Sequence, residues 1–156
     1  MNSATSSTLD RSDLIDYVSR QLLPGAGLLT RLLMRQLGGE LSRTEVGLLS
    51  TLSDGPRRIT ELAELEGLAQ PTMTCMVKQL EQRGLVRRDR QPDDGRVVLV
   101  DLTNSGGIAL EGYRARARGI LGAYLAEIPD EQVEALADAT EALAQLVALL
   151  QQRQVR

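Results

Sequence analysis

The 156-residue chain has no histidine, no tryptophan and no phenylalanine, one cysteine (Cys75) and three tyrosines. Each shortage removes a class of chemistry. Without histidine, the chain cannot assemble a Ser-His-Asp triad, a Cys-His pair, a His-ligated zinc or an axial haem ligand. A lone cysteine closes no internal disulfide and builds no zinc finger. Three tyrosines cannot furnish the aromatic platform on which RRM or OB-type proteins stack bases. No apolar run approaches the ~18 residues of a membrane-spanning helix. The opening MNSATSSTLD lacks the charged and apolar regions of a secretory signal, so a cytoplasmic protein without membrane contact is the expectation. No phosphate-loop or dinucleotide glycine fingerprint is present, so no catalytic residue, metal ligand or cofactor is assigned.

What remains is a soluble, globular composition, 42% hydrophobic and 25% charged, of a length that suits one domain. The net charge of −3 opposes bulk nucleic-acid binding, but the charge is unevenly spread. From Glu127 to Leu150 there are six acids and no base. From Gln70 to Arg96 six bases (Lys78, Arg83, Arg87, Arg88, Arg90, Arg96) face four acids (Glu81, Asp89, Asp93, Asp94), a local excess of +2. A basic middle on an acidic chain fits a face that meets a polyanion; an ordinary solvated surface is the plainer reading.

Along the chain, residues 1–8 are small and polar without periodicity and read as a disordered tail. Apolar residues then recur at helical intervals to about Leu37, through Leu14, Val18, Leu22, Leu29, Leu32 and Leu33. Pro24-Gly25-Ala26-Gly27 interrupts them, which predicts a kink or break near Leu23 and a hinge there. Ser42-Arg43-Thr44-Glu45 has the capping-box pattern and starts a helix to about Ser53. Arg57-Arg58-Ile59 reads as extended, with Thr60 as the N-cap of a short helix to Glu66. Gly67-Leu68-Ala69 is a tight turn, and Pro71 opens a helix to Arg83 that stops at Gly84. Two short helices joined by a glycine turn make a helix-turn-helix. Leu85–Arg90, a turn over Gln91–Gly95 and Arg96–Leu102 form a hairpin directly after it, the position of a wing.

Thr103 caps a long helix with Leu110, Tyr113, Ala117, Ile120, Tyr124 and Ile128 in 3/4 spacing. Pro129-Asp130-Glu131 restarts another, with the stripe Val133, Leu136, Thr140, Leu143, Val147 and Leu150. These stripes exceed what a small winged domain can cover, so a second copy of the chain is the expected cover. The fold class is mostly α with a small β-hairpin wing: a winged helix-turn-helix (41–102) flanked by N-terminal (9–40) and C-terminal (103–156) dimerisation helices.

On the helix from Pro71, Met73, Met76, Val77 and Leu80 fall on the core side. Pro71, Thr74, Cys75, Lys78 and Gln82 fall opposite, with types that can bond phosphates or approach base edges in a major groove; any surface helix also has a polar outer face. Arg88 and Arg90 alternate onto one side of the first wing strand, where they could meet phosphates or simply face solvent. Asp94 and Arg96 can point the same way from an extended segment, a geometry that holds an arginine out for a narrow minor groove or makes a surface ion pair.

Five stretches together resemble the MarR (multiple-antibiotic-resistance regulator) family: Ile59-Thr60-Glu61-Leu62-Ala63, Pro71-Thr72-Met73-Thr74, Leu80-Glu81-Gln82-Arg83-Gly84-Leu85-Val86, Asp93-Asp94-Gly95-Arg96 and Val98-Leu99-Val100-Asp101-Leu102-Thr103. The resemblance covers Leu41 to Leu110. It implies a homodimer on a pseudo-palindromic operator, a repressor under ligand or redox control, and a small aromatic or phenolic effector. It puts Thr72, Thr74 and Lys78 on the 70–83 major-groove helix, with Arg96 of the 86–100 wing entering the minor groove and Asp94 pairing with it; Gln70 and Cys75 on that helix and Arg88 and Arg90 on the wing complete the candidate DNA contacts from the reading of the residues themselves. Tyr17, Arg20 and Tyr113 are candidates for the effector site; helix packing explains them equally. Cys75 stands where many members carry arginine, Gly95 where a basic residue is common, and the first helix has no sensing cysteine. A dimeric helical interaction protein with a winged-helix shell that does not read DNA stays open as the rival.

Overall fold

The computed structural model describes residues 10–91 and 94–154, with backbone alone at 90, 91, 94–97 and 154. The expected 1–8 tail lies outside the described residues. These form α1 (Arg11–Leu37), α2 (Arg43–Ser53), β1 (Arg57–Arg58), α3 (Ile59–Leu65), α4 (Gln70–Gln82), β2 (Val86–Gln91), β3 (Asp94–Leu102), α5 (Asn104–Leu125) and α6 (Asp130–Gln154). One compact unit ends at Arg114 and a second begins at Ala115.

α1 begins where the Asp10 carboxylate accepts from the Arg11 N–H at 2.7 Å. The break expected at Pro24 is absent. α1 is one helix with Pro24 inside it, and neither Gly25 nor Gly27 takes a positive φ. Proline forfeits its own N–H bond and crowds the carbonyl four residues back, but its φ near −65° is already helical and the turns on either side carry the helix through. The glycines keep a helical backbone, and the space beside each is empty to 4 Å, so no neighbour redirects the chain. The chain therefore runs through Pro24–Gly27 as helix, without the interruption that the hinge was inferred from.

Ser42 and Glu45 close the start of α2 reciprocally. The Glu45 carboxylate accepts from the Ser42 N–H at 2.6 Å, and the Ser42 hydroxyl from the Glu45 N–H at 3.3 Å. α3 starts at Ile59, earlier than a Thr60 cap would allow. The Glu61 carboxylate accepts from the Arg58 N–H at 3.0 Å, so an acid inside the first turn does the capping. α3 and α4 both end in a Schellman closure. Leu68 N–H reaches Ala63 O at 2.8 Å with Gly67 at φ +64°, and Leu85 N–H reaches Leu80 O at 2.9 Å with Gly84 at φ +71°. Only glycine adopts those angles without strain, which fixes where both helices stop.

The hairpin forms in the register Val86↔Leu102 through Arg90↔Val98, with an irregularity between Arg90 and Gln91. β3 begins at Asp94, so the second wing strand starts earlier than Arg96. Arg57 and Arg58 do more than extend: they pair with Val100 and Leu99, giving an antiparallel sheet in the order β1-β3-β2. The core of this unit joins Leu48, Leu49 and Leu52 of α2, Leu62 and Ala63 of α3, Met73, Val77 and Leu80 of α4, and Val86, Val100 and Leu110. Lacking large aromatics, it is packed from leucine, valine and methionine.

Thr103 caps α5 as expected, its Oγ1 accepting from the Gly106 N–H at 3.0 Å while donating to Gly84 O at 2.7 Å. α5 ends at Leu125, so Ile128 falls past it in the turn before Pro129. Within the second unit, α6 leaves Leu136, Leu143, Leu146, Val147, Leu149 and Leu150 between 41% and 57% exposed. In α1 the only buried residue is Leu37, and Leu14, Ile15, Val18, Leu23, Leu28, Leu29 and Leu32 face outward.

Candidate nucleic-acid interface

α4 is positioned from its inner face. Met73, Val77 and Leu80 are fully buried in the core and Met76 packs against it. That placement forces the other side outward: Gln70, Thr72, Thr74, Cys75, Lys78 and Gln82 are all exposed. The Thr74 hydroxyl donates to Gln70 O at 2.8 Å, and the Gln79 amide lies 3.9 Å from Cys75 Sγ. Ala69, the N-cap, has no side-chain oxygen, so the opening N–H groups of α4 receive no cap from it. Lys78 makes no ion pair with any described residue.

The one acid of α4, Glu81, is taken up by the wing: Arg88 Nε lies 3.3 Å from Glu81 Oε2. Arg88 alternates with Arg87 along β2 and shares the inner side with buried Val86, opposite Val100. It is therefore half-buried against α4, and among the described residues its buried Nε and Nη2 find no well-aligned hydrogen-bond acceptor. Arg87 faces outward and is bracketed by acids, 2.6 Å from Asp101 Oδ2 across the ladder and 3.0 Å from Asp89 Oδ2 along its own strand. The hydrogen bond to Asp101, then the two carboxylate charges, raise the Arg87 pKa. The side chains of Arg90, Asp94 and Arg96 lie outside the described residues, and with them the expected Asp94–Arg96 pairing.

Arg83, the C-cap of α4, reaches the start of α2 and the segment before it. Its Nη1 lies 2.5 Å from Glu45 Oε1 and its Nη2 donates to Glu40 O at 2.5 Å. Burial raises the Glu45 pKa, but hydrogen bonds from Ser42 and the neighbouring Arg83 charge outweigh it, and the net shift is downward. Thus Arg83, Arg87 and Arg88, three of the six bases of the middle region, are each paired with an acid.

The effector candidates do not converge within one chain. Tyr17 is 63% exposed, and Arg20 pairs with Asp16 at 2.7 Å on the surface of α1. The Tyr113 hydroxyl instead meets Met34 Sδ at 2.6 Å, near the far end of the same helix. At 1.5 Å rise per residue, Tyr17 and Met34 stand roughly 26 Å apart.

Sequence reading missed the Arg83 clamp and the Glu81–Arg88 pair. The Ser42-x-x-Glu45 capping box was legible, but nothing in its spacing shows that Glu45 also receives a cation from the end of α4.

Comparison with known proteins matches residues 41–98 to the MarR family model. The HTH-type transcriptional repressor MdtR of Bacillus subtilis is 32% identical over 98 residues, covering 63% of each chain. This chain spans 48–63% of the length of the first curated relatives it matches. The crystal structure of a probable transcriptional regulator from Pseudomonas aeruginosa is 30% identical and covers 76% of this chain and 96% of its own, with a TM-score of 0.54. A MarR family protein from Bacillus stearothermophilus shares the fold at 22% identity, with a TM-score of 0.70 over 86% of this chain and 96% of its own.

Proposed function

The chain belongs to the MarR family of winged-helix transcriptional regulators, and from that premise we propose that it is a homodimeric repressor of transcription. It reads a pseudo-palindromic operator in double-stranded DNA and is released by a small ligand. α4 enters the major groove and the β2–β3 wing the minor groove, with Arg96 as the inserted side chain and Asp94 as its partner. The observation that carries the reading is the outer face of α4. Gln70, Thr72, Thr74, Cys75, Lys78 and Gln82 are exposed there, and the helix's one acid is turned aside onto Arg88. A face of short polar side chains with Lys78, which has no ion-pair partner among the described residues, suits phosphate oxygens and base edges.

The exposed apolar residues of α1 and α6 support the homodimer, because monomers rarely leave contiguous apolar patches of this kind open to water. Obligate interfaces bury ~2,000–5,000 Å². An effector site drawing on Tyr17, Arg20 and Tyr113 needs the second copy, since one chain holds them apart.

One observation favours the rival, an interaction protein that does not read DNA: the pairing of Arg83, Arg87 and Arg88 with acids removes half of the middle region's bases from the electrostatic footprint. Fluorescence anisotropy separates the two. A duplex selected by the protein from a random-sequence pool should bind far more tightly than a scrambled one, and log affinity should fall linearly with log salt at about −0.9 per phosphate contacted. Absence of any selected sequence, with a flat salt response, supports the interaction protein.

A further inference from the structure

We propose that Arg83 is a specificity-determining positioning residue that sets the angle of α4 and hence the half-site spacing the dimer accepts. This rests on the DNA-reading function proposed above.

α4 is held unequally at its two ends. Its first turn has no side-chain cap and is seated by Met73 alone. Its last turn is tied on two sides, by Glu81 to Arg88 of the wing and by Arg83 to the junction of α1 and α2. The Arg83 joint has three parts. One guanidinium nitrogen meets the Glu45 carboxylate in the first turn of α2, and the other takes the carbonyl of Glu40, three residues beyond the end of α1. Glu45 is locked in turn by Ser42. The charges also sit well with both helix dipoles, an arginine at the end of α4 and a glutamate at the start of α2. A forked guanidinium can make both bonds at once, which a lysine ammonium on its flexible stem cannot hold in the same plane.

This joint connects α1, the helix with an outward apolar face, to the helix that presents Thr72 and Thr74. The lever is long. Thr72 lies eleven residues before Arg83, ~17 Å along the helix, so a tilt of about 5° at the clamp displaces Thr72 by roughly 1.5 Å. Base-edge hydrogen bonds tolerate a donor–acceptor spread of only about 0.5 Å. Both ends of the Arg83 guanidinium are taken up by Glu45 and Glu40, so its loss is expected to change orientation rather than remove a contact to DNA.

The test uses the full chain and anisotropy on the selected operator, on the same operator with one base pair added or removed between half-sites, and on a scrambled duplex, across a salt series. Arg83→Gln should weaken operator binding about tenfold, the cost of spoiling one base contact. It should leave scrambled-duplex affinity within about twofold, keep the salt slope, and flatten the preference among spacings. Arg83→Lys should fall between. Glu45→Gln, which keeps the capping pattern but removes the charge, should shift spacing preference in the same direction; it serves in place of Arg83→Gln if circular dichroism shows that variant unfolded. Unchanged operator-to-scrambled ratio and spacing preference in folded Arg83→Gln and Glu45→Gln would overturn the proposal. So would a salt slope reduced by about one per site, which marks Arg83 as a direct phosphate contact. A wild-type chain that binds no duplex overturns the DNA-reading function itself and this inference with it.

Discussion

The start of α5 carries two adjacent glycines in opposite surroundings, and they make a sharp test of the packing. A methyl group on Gly106 would sit 2.0 Å from the Leu85 carbonyl oxygen and 2.8 Å from Leu102 Cδ1, whereas one on Gly107 would meet nothing within 4 Å. Non-bonded atoms settle at about 3.5–4.0 Å, so at Gly106 something must retreat by more than ~1 Å. The obstacle cannot yield freely. Leu85 O accepts the Thr103 N–H at 3.1 Å, and Thr103 in turn caps Gly106 and bonds Gly84 O. Overpacking costs ~1–3 kcal/mol and a weakened cap ~1 kcal/mol. Helix propensity returns at most ~1 kcal/mol for glycine to alanine. Gly106→Ala should therefore destabilise by about 2 kcal/mol, while Gly107→Ala, with the propensity gain and no clash, should stabilise by about 0.5–1 kcal/mol. For a chain of this size ~1 kcal/mol moves Tm by roughly 2–4 °C, so the two variants should melt on opposite sides of the parent. The assay is thermal and urea unfolding by far-UV circular dichroism at one fixed protein concentration, because the proposed dimerisation would make Tm concentration-dependent. Melting shifts of the same sign would refute the packing of Gly106 against Leu85 and Leu102.

Glu45 makes stability pH-dependent. Its folded pKa is depressed, so its contribution is present above the ordinary glutamate value of ~4.3 and is lost as pH falls through the folded value. The stability gap between wild type and Glu45→Gln should hold at neutral pH and close below about pH 4.3 in urea unfolding series; a gap that persists there defeats the assignment. Lys78→Ala should weaken binding to every duplex and lower the salt slope by about one per contacted phosphate. Arg96→Ala should cost on the order of 2–4 kcal/mol per dimer, from ~1.5–3 kcal/mol per charged hydrogen bond, and Asp94→Ala less. Equal, negligible losses at Arg96 and Asp94 would remove the wing from DNA reading. Sedimentation equilibrium should return a dimer at micromolar concentration, and Leu146→Glu on the exposed stripe should shift it toward monomer; a wild-type monomer there would sink the homodimer.

Much of the architecture was legible residue by residue because its signals are local. The Ser42–Glu45 box, the Gly67 and Gly84 stops and the Thr103 cap each act within a few positions of the helix end they set, so spacing alone identifies them. The inner face of α4 was equally legible, since Met73, Val77 and Leu80 recur at the helical period and are the residues found buried. Pro24 misled because a proline's local penalty was weighed without the helical turns on either side that absorb it.

Tertiary structure decided which charges are available and which are consumed. Sequence places six bases between Gln70 and Arg96, but Arg83 finds Glu45 across 38 positions, Arg87 finds Asp101 across the hairpin, and Arg88 folds inward onto Glu81. It also turned Arg57 and Arg58 from an extended stretch into a third strand beside β3. A helix end or an amphipathic face is set by backbone geometry over a few residues, which the order of side chains encodes directly. An ion pair or a strand pairing between distant segments exists only once the core has brought them within bonding distance, and no local spacing carries that information.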